Sequence, residues 1–507
     1  MVTCIRDLPL NFFYLIYNLQ HIGSLCAVLP FPLFSCKMLS KKLNETYDKN
    51  FEEIAELPSR MSCYCSLRTK AEVSISTEVN IKFMEVIRTY GNIIKKYAPD
   101  HPLAAFRMIK AGLALEQFRS KHLADKKMPG AYQYLNTYAV GEVLEALKHP
   151  ENSVWANIFA PVELLQCLGL HSLSIECLSS FLSGFTIEDY FLDYAENEGL
   201  ASTLCSYHKN FIGAIDSGII PPAAFAVTTS TICDGNINTF RHLSKKHQVP
   251  SFLIDIPQYN TPDAKAYVTE QLKELITMLE DTFHKKFQEE ELISILQREN
   301  ESKACYERSL KNLRTHHYPS TLTMQMYMLF ASHMNIGTPE ILHFYQQMEA
   351  ETAAAPEFHG TNILWVHLLP YYQETLKEYF NLTDDYQIQA IEMNLDYRAP
   401  LDTEHPLEAL ADKMIQNVYN GPYVRKANLV SELAQDLQSD GVINFCHWGC
   451  KQSSGGVMLL KEELDKKDIP LLILDGDGMD RRNSHDGQIR TRFEAFLEVL
   501  KQRKGDA

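Results

Sequence analysis

Two spacings of apolar residues alternate along most of the chain. Short runs such as "SVWANIF" (153–159), "AAFAVTTS" (223–230) and "SFLIDIP" (251–257) are largely apolar, which predicts strands buried on both faces. Between these runs, segments such as "INTFRHLSKKH" carry apolar residues at helical spacing. Strands that alternate with amphipathic helices predict parallel sheets covered by helices, an α/β fold.

The second half of the chain repeats the alternation. Four further runs predict strands: "TNILWVHLLP" (361–370), "YQIQAIEMNL" (386–395), "GVINFCH" (441–447) and "IPLLILDGDG" (469–478). Two runs of alternation predict two α/β domains. The predicted parts are a poorly specified N-terminal extension at 1–77, a helical segment at 78–150, a first α/β domain with a long helical insertion at 151–345, and a second at 346–507.

The N-terminal segment "LPLNFFYLIYNLQHIGSLCAVLPFPLF" (8–34) is apolar but interrupted by Asn11, Asn18 and His21. A membrane-spanning helix requires about 20 mostly apolar residues. A signal peptide requires a charged start, a compact apolar run and a small-residue cleavage site. The segment satisfies neither pattern fully. We therefore expect an extension ahead of a cytoplasmic, non-membrane protein, with export or anchoring as the alternative.

Charge and cysteine usage narrow the class of protein. The 507 residues carry a net charge of −16, which argues against a nucleic-acid surface because phosphate contacts need clustered Lys and Arg. The 12 cysteines are scattered through the chain instead of concentrated at tight spacings. This usage favours reduced thiols in a cytosolic enzyme, with some of them binding metal.

Several familiar catalytic motifs are missing from the sequence. No GxxxxGK[ST] loop is present, so we do not expect this chain to hydrolyse ATP. The "DGDGMDRRNSHD" segment lacks the glycine and glutamate of a calcium-binding hand. It also lacks the third glycine of a dinucleotide-binding loop. We therefore expect this segment to be a polar loop at a sheet edge. No GxSxG elbow is present either.

The cysteines beside the predicted strands are the remaining candidates for chemistry. Cys233, Cys446 and Cys450 lie at predicted strand ends, where open parallel sheets bind ligands, and Cys205 precedes them in the chain. Zinc sites usually use paired CxxC units or several histidines, whereas well-separated thiolates suit an iron–sulfur cluster. The alternative is that each cysteine is a small buried apolar residue.

Three segments resemble the 2-hydroxyacyl-CoA dehydratase family, which includes 2-hydroxyglutaryl-CoA dehydratase subunits and is related to benzoyl-CoA reductase subunits. The C-terminal pattern Gly-Gln-x-x-Thr-Arg-x-x-Ala-Phe-x-Glu, at 487–498, is long and specific. "FAPVELLQCLGL" resembles the Pro-x-Glu-Leu-Leu segment of the family, and "TTSTICDG" followed by "FLIDIP" resembles its Cys-Asp unit. The resemblance covers about residues 150 to 500.

The resemblance implies two flavodoxin-like, doubly wound domains and pairing with a homologous subunit as a homo- or heterodimer. It also implies a 4Fe–4S cluster held by three cysteines, with one iron open to the thioester carbonyl. In such anaerobic lyases, a separate ATP-hydrolysing iron–sulfur activator supplies one electron. Water is then eliminated from 2-hydroxyacyl-CoA through a ketyl radical, giving enoyl-CoA.

The resemblance also assigns residues. Cys205 and Cys233 match the first two cluster cysteines, and Cys450 fits the third better than Cys446 does. Cys446 is an extra thiol, which leaves open a larger, double-cubane cluster of eight irons. Glu163 matches an acidic position near the substrate, and its alternative role is to complement a helix dipole.

Three functions therefore stay open at the level of the sequence. The first is the iron–sulfur subunit of a 2-hydroxyacyl-CoA dehydratase. The second is an ATP-dependent reductase of the double-cubane or benzoyl-CoA reductase type. The third is a cluster-free structural partner of an active paralogue.

Overall fold

A computed structural model describes residues 85–505. Contacts between Cα atoms divide the chain into a unit of residues 1–90 and a unit of residues 91–507, and the following concerns the second. The predicted extension at 1–77, with its apolar segment, lies outside the described residues. The division between α/β domains at residue 345 stays a prediction.

Eight strands form two four-stranded sheets, and all neighbouring strands are parallel. The first sheet has the order β2-β1-β3-β4 and the second the order β6-β5-β7-β8. The strands are β1 (Ser153–Ala156), β2 (His171–Ser174), β3 (Phe225–Thr229), β4 (Ser251–Ile254), β5 (Thr361–Val366), β6 (Tyr386–Ile391), β7 (Gly441–His447) and β8 (Leu471–Gly476).

Helices connect and cover the strands. They are α1 (Pro102–His122), α2 (Gly130–Lys148), α3 (Val162–Cys167), α4 (Ile175–Gly184), α5 (Glu188–Asn197), α6 (Ser206–Asp216), α7 (Asp234–His247), α8 (Pro262–Phe283), α9 (Glu289–Asn312), α10 (Leu322–Met334), α11 (Pro339–Ala353), α12 (Glu374–Phe380), α13 (Pro406–Gln416), α14 (Val424–Asp436), α15 (Lys451–Ser454), α16 (Val457–Asp465) and α17 (Asp486–Gly505). None of the helices within residues 85–505 is both long and apolar enough to cross a membrane.

The sequence explains why the central strands form where they do. Every residue of β1, β3, β5 and β7 is buried, so side chains on both faces of these strands are covered. Trp155 in β1 and Trp365 in β5 are almost fully buried and anchor the first strand of each sheet. Two helices begin at a threonine N-cap followed by proline, at Thr261 and Thr338, whose hydroxyls accept a backbone N–H.

The strand order creates a switch point in each sheet. From β1 the chain passes to β2 on one side and then to β3 on the other, and β5, β6 and β7 repeat this course. The loops that leave β1 and β3, or β5 and β7, therefore diverge and leave a crevice at the carboxyl edge of the sheet. The fold thus provides two crevices in which to look for a functional site.

The prediction of an α/β fold with parallel sheets is confirmed, and the seven predicted strands are all present. The eighth strand, β2, was not predicted from the sequence. It has only four residues, "HSLS", and lies at a sheet edge, so it lacks the apolar run that marks the others. The predicted helical region after β4 consists of two helices, α8 and α9, which are separated by residues 284–288.

Candidate functional site

Two of the predicted cysteines follow strands that hold the same position in the two sheets, β3 in the first and β7 in the second. Cys233 lies just beyond β3 and is the N-cap residue of α7. Cys450 lies just beyond β7 and is the N-cap residue of α15. Cys205, which was expected beside a strand, instead joins α5 to α6 and is the N-cap residue of α6. The start of a helix favours the thiolate form of a cysteine.

The backbone before two of these cysteines adopts an unusual conformation. Ile232 and Gly449, which directly precede Cys233 and Cys450, have φ angles of 76° and 78°. A β-branched residue such as Ile232 rarely adopts this left-handed conformation, and such strain is often found at functional sites. At Gly449, a Cβ atom would lie only 2.6 Å from the backbone nitrogen of Cys205, so only glycine lets the two loops approach this closely.

The three sulfur atoms act on one another electrostatically. Burial raises the pKa of Cys205 well above its usual value, and negative charge on Cys450, Asp477 and Cys233 raises it further. Burial also raises the pKa of Cys233 to about 12, with a contribution from Cys450. We call Cys205, Cys233 and Cys450 the thiol site. Mutual repulsion thus disfavours ionisation of Cys205 and Cys233, and a bound cation would offset it.

A buried histidine lies beside each cysteine of the thiol site. The Sγ–Nε2 distances are 3.1 Å from Cys205 to His447, 3.5 Å from Cys450 to His367, and 3.7 Å from Cys233 to His208. Burial lowers the pKa of all three imidazoles, that of His208 to about 4. The thiol site is therefore surrounded by neutral imidazole rings.

Cys446 has a different environment from the thiol site. It is part of β7 and is 5% exposed. Its Sγ lies 3.3 Å from Nδ2 of Asn444 and 3.5 Å from the carbonyl oxygen of Ser453. Burial raises its pKa to about 11, and the next contribution comes from Asp475. A ligand role for Cys446 stays a prediction.

The loop after β8 supports the thiol site from the second sheet. The hydroxyl of Ser206, next to Cys205, donates to Oδ1 of Asp477 at 2.6 Å. The same oxygen accepts the backbone N–H groups of Met479 and Asp480 at 2.9 and 2.8 Å. The loop after β8 is at a sheet edge, as predicted. The sequence did not predict its hydrogen bond to the start of α6, because no motif in the loop indicates that contact.

Glu163 lies in the first turn of α3, after β1, and is 1% exposed. Its Oε1 accepts from Nζ of Lys413 at 2.5 Å, and Lys413 also donates to Glu299 at 2.7 Å. Glu299 is bonded in turn to Lys303 at 2.8 Å. We call these four residues the carboxylate–lysine cluster.

The two carboxyl groups of the carboxylate–lysine cluster differ in acidity. Burial raises the pKa of Glu163, and the opposing charge of Lys413 offsets this only in part. Burial acts in the same direction on Glu299, but Lys303 and Lys413 outweigh it and lower the pKa to about 2. A buried pair whose acidities differ in this way can hold a single proton on one defined member.

The carboxylate–lysine cluster lines a small cavity, part of which opens to solvent. Phe159, Tyr306 and Tyr345 form part of its apolar wall. Thr231, in the loop that carries Cys233, also lines the cavity, which therefore extends towards the thiol site. An elongated ligand in this cavity would approach both groups of residues.

Glu176 is a candidate residue that was not predicted from the sequence. It is the second residue of α4, which directly follows β2, and no hydrogen-bond partner for its buried Oε2 is present in the described part of the chain. Burial raises its pKa to about 7, while its own backbone N–H, Ser174 and His333 lower it to a smaller extent. Its charge acts on Cys233, and the charge of His333, which lines the cavity, acts on Glu176. Only the structure reveals it, because the short β2 has no clear sequence pattern.

The thiol site suits a multi-iron cluster better than a single metal ion. Within residues 85–505, no three His, Cys, Asp or Glu side chains lie close enough to hold one ion. A cluster spans several metal–sulfide bonds, so its ligands lie farther apart and come from separate loops. Nδ1 of the buried His367 has no partner among the described residues, which marks a polar environment that is incomplete without a ligand. The three thiols are therefore the candidate ligands of a 4Fe–4S cluster, and this assignment stays a prediction.

Comparison with known proteins agrees with the motifs. The model of the family 2-hydroxyglutaryl-CoA dehydratase, D-component, matches residues 157–500. The chain is 24% identical to the (R)-phenyllactyl-CoA dehydratase alpha subunit of Clostridium sporogenes, over 76% of this chain and 98% of that protein. It is 22% identical to the lactoyl-CoA dehydratase alpha subunit of Anaerotignum propionicum, over 72% and 95%.

A more distant relative is named for a different activity. A benzoyl-CoA reductase subunit of Thauera aromatica is 20% identical, over 62% of this chain and 80% of that protein. The family model nevertheless covers well over half of the chain, including all three cysteines of the thiol site. The resemblance inferred from the motifs is thus confirmed, and the chain belongs to the 2-hydroxyglutaryl-CoA dehydratase D-component family, among the subunits of 2-hydroxyacyl-CoA dehydratases.

Proposed function

We propose that this chain is the iron–sulfur subunit of a 2-hydroxyacyl-CoA dehydratase, which eliminates water from 2-hydroxyacyl-CoA after one-electron activation. The observation that carries the proposal is the convergence of Cys205, Cys233 and Cys450 from three separate loops in a member of this family. Each domain would then be a four-stranded flavodoxin-like unit, because both sheets have its strand order of 2-1-3-4.

The three thiolates would hold a 4Fe–4S cluster, and the surrounding loops fix their positions. When bound, such a cluster supplies an open iron that acts as a Lewis acid on a thioester carbonyl and stores one low-potential electron. The close approach at Gly449 keeps Cys450 near Cys205, and the bond from Ser206 to Asp477 holds the start of α6. This chain's residues thereby set the place at which the thioester must lie.

The net reaction removes the 2-hydroxyl and one hydrogen from C3 as water, so a group must accept and return a proton. Glu176 suits this task because its pKa is about 7 and its Oε2 has no partner in the described residues. Glu163 is the other candidate, but its Oε1 is already bonded to Lys413. We therefore assign proton transfer to Glu176 and orientation of the substrate to Glu163.

The proposal includes partners. The relatives are named as subunits, so we expect a homologous subunit to complete the enzyme. Because the chain lacks a phosphate-binding loop, we expect a separate ATP-hydrolysing activator to deliver the electron. The alternative of an acyl-CoA reductase rests on the likeness to the benzoyl-CoA reductase subunit and on the extra thiol of Cys446.

Anaerobic purification followed by iron and sulfide analysis and EPR spectroscopy tests the proposal. About four irons per chain supports it, about eight supports the double cubane, and none supports a cluster-free structural partner. Dehydration should require the partner subunit, the activator and ATP, and air should bleach the protein and abolish turnover. Dehydration by this chain alone, without ATP or reductant, would contradict the proposal.

A further inference from the structure

We propose that His447 is a positioning residue whose Nε2–H donates a hydrogen bond to the sulfur of Cys205 and thereby stabilises it as a metal-bound thiolate. His367 and His208 would do the same for Cys450 and Cys233. The inference rests on the proposed function, since it assumes that the thiol site binds a cluster. It adds a tuning device that the cysteines alone do not provide.

The hydrogen bonds of His447 determine which of its nitrogens carries the proton. The backbone N–H of Gly478 donates to Nδ1 of His447 at 2.8 Å, and both groups are buried. Because a backbone N–H can only donate, Nδ1 must be the acceptor. A neutral imidazole has one N–H, which then lies on Nε2. This N–H is 3.1 Å from the sulfur of Cys205.

A donor beside this sulfur is useful mainly when the sulfur is ionised. A thiol sulfur is a weak acceptor, whereas a thiolate carries a full negative charge and accepts strongly. The ring is held in place by the bond from Gly478 and by its edge-on contact with Tyr207, whose centroid lies 5.3 Å away. The Nε2–H of His447 is therefore oriented towards the sulfur of Cys205. This sulfur becomes a good hydrogen-bond acceptor only when it is ionised, as it is when it binds a metal.

The other two histidines repeat the arrangement less tightly. Nδ1 of His208 lies 2.9 Å from the hydroxyl of Thr239, which can donate to it and leave the proton on Nε2, facing Cys233. His367 faces Cys450 from a backbone with a φ of 74°, a strained conformation for a residue with a side chain. Its backbone N–H is fixed by Glu392 at 2.7 Å.

These hydrogen bonds would change the reduction potential of a bound cluster. Reduction adds negative charge that spreads over the cysteine sulfurs, and an N–H donor stabilises that charge. Each donor therefore makes the reduction potential less negative. Removing the donor from His447 should shift the potential to a more negative value without changing the ligands.

The test compares His447→Leu, which has no donor, with His447→Gln, which keeps an N–H near the position of Nε2. Both variants lose the ring nitrogen that accepts from Gly478, and only His447→Gln keeps an N–H that can face Cys205. The full chain is reconstituted with iron and sulfide, and its reduction potential is measured by EPR-monitored titration. We expect a more negative potential in His447→Leu and a value closer to wild type in His447→Gln. His317→Gln is the matched control, because His317 is also buried but stacks on Phe358 away from the cysteines.

Each outcome decides the question. Equal potentials in wild type and His447→Leu at equal iron content would overturn the inference. Iron lost from His447→Leu but kept in His447→Gln would support it, because the donor would then be needed to hold the thiolate. Iron lost from both would show that His447 acts by packing and would overturn it. A wild-type protein without iron would instead refute the proposed function.

Discussion

The thiol site is half-buried, whereas the two carboxyl groups of the carboxylate–lysine cluster are fully buried, and negative charge is balanced differently in the two groups. In the carboxylate–lysine cluster, Lys413 bonds to both Glu163 and Glu299, so the charges neutralise one another. In the thiol site, burial and mutual repulsion raise the pKa of Cys205, and the neighbouring imidazoles are neutral. One group is charge-balanced within the chain, whereas in the other burial and repulsion favour the neutral thiols of Cys205 and Cys233.

This difference separates structure from ligand binding. A self-neutralised ionic cluster contributes to folding, because removal of one member leaves an unpaired buried charge. A group of thiols that needs a cation to ionise contributes little to the apoprotein but much to metal affinity. Substitutions in the two groups should therefore affect different measurements: iron content for the thiol site and free energy of unfolding for the carboxylate–lysine cluster.

The largest effect should come from the thiol site. Replacement of Cys205, Cys233 or Cys450 by Ser should each remove most of the iron, because a hydroxyl is a poor substitute for a thiolate at an iron–sulfur centre. The free energy of unfolding of the apoprotein should change by no more than about 1 kcal/mol. Iron analysis after anaerobic reconstitution, with chemical denaturation of the apoprotein, measures both quantities. Iron retained in all three variants would mean that these cysteines are structural.

The next effect should come from the carboxylate–lysine cluster. Lys413→Met leaves Glu163 and Glu299 buried without their shared cation, and should lower the free energy of unfolding at pH 7 by about 3–5 kcal/mol. Without the lysine the folded-state pKa of both carboxyl groups rises. The lost stability should therefore be regained as the pH falls and the carboxyl groups take up protons.

A surface lysine provides the matched control for Lys413→Met. Lys148 pairs with Glu145 at 2.7 Å, but both side chains are 43% exposed. Lys148→Met should therefore cost no more than about 1 kcal/mol and show no recovery at low pH. An equal loss in the two variants would show that the buried cluster is no more important to folding than a surface pair.

Substitution of Glu176 should have a smaller, pH-dependent effect. Burial raises its folded-state pKa from 4.5 to about 7. The protonated form is thus favoured by folding, and this contribution is present in full below pH 4.5 and lost as the pH rises through about 7. Glu176→Gln removes the dependence, so between pH 5 and pH 8 the variant should gain on the order of 1–3 kcal/mol relative to wild type.

Chemical denaturation at several pH values measures the effect of Glu176→Gln. Glu357 is the control because its side chain is 80% exposed, and Glu357→Gln should show no such gain. The same gain in both variants would mean that the environment of Glu176 is ordinary.

The sequence predicted the parallel sheets and the cysteines for the same reason. Central strands such as β3 and β7 are largely apolar and buried throughout, and a cysteine follows each at the point where a parallel sheet binds ligands. Cys205 was expected beside a strand as well but lies between two helices, and its match to the first cluster cysteine comes from the resemblance to a family.

The residues that surround the thiol site could not be predicted in this way. His208 and His367 are separated from their cysteines in the chain, and only the packing of α6 and the end of β5 brings them close. Glu176 follows the four-residue strand β2, which lacks a clear pattern. Contacts of this kind depend on tertiary structure, which no local spacing reports.

The smallest effect should come from substitution of Cys446, which tests whether a fourth cysteine belongs to the thiol site. Its sulfur lies near Asn444 and the carbonyl oxygen of Ser453, so we expect Cys446→Ser to keep the iron and to cost on the order of 1 kcal/mol of stability. A serine hydroxyl can donate to the same carbonyl, which keeps the cost low. If Cys446 instead binds a second cubane, iron should fall from about eight per chain towards four. The iron content of Cys446→Ser, measured beside that of Cys450→Ser, therefore decides whether the thiol site ends at three cysteines.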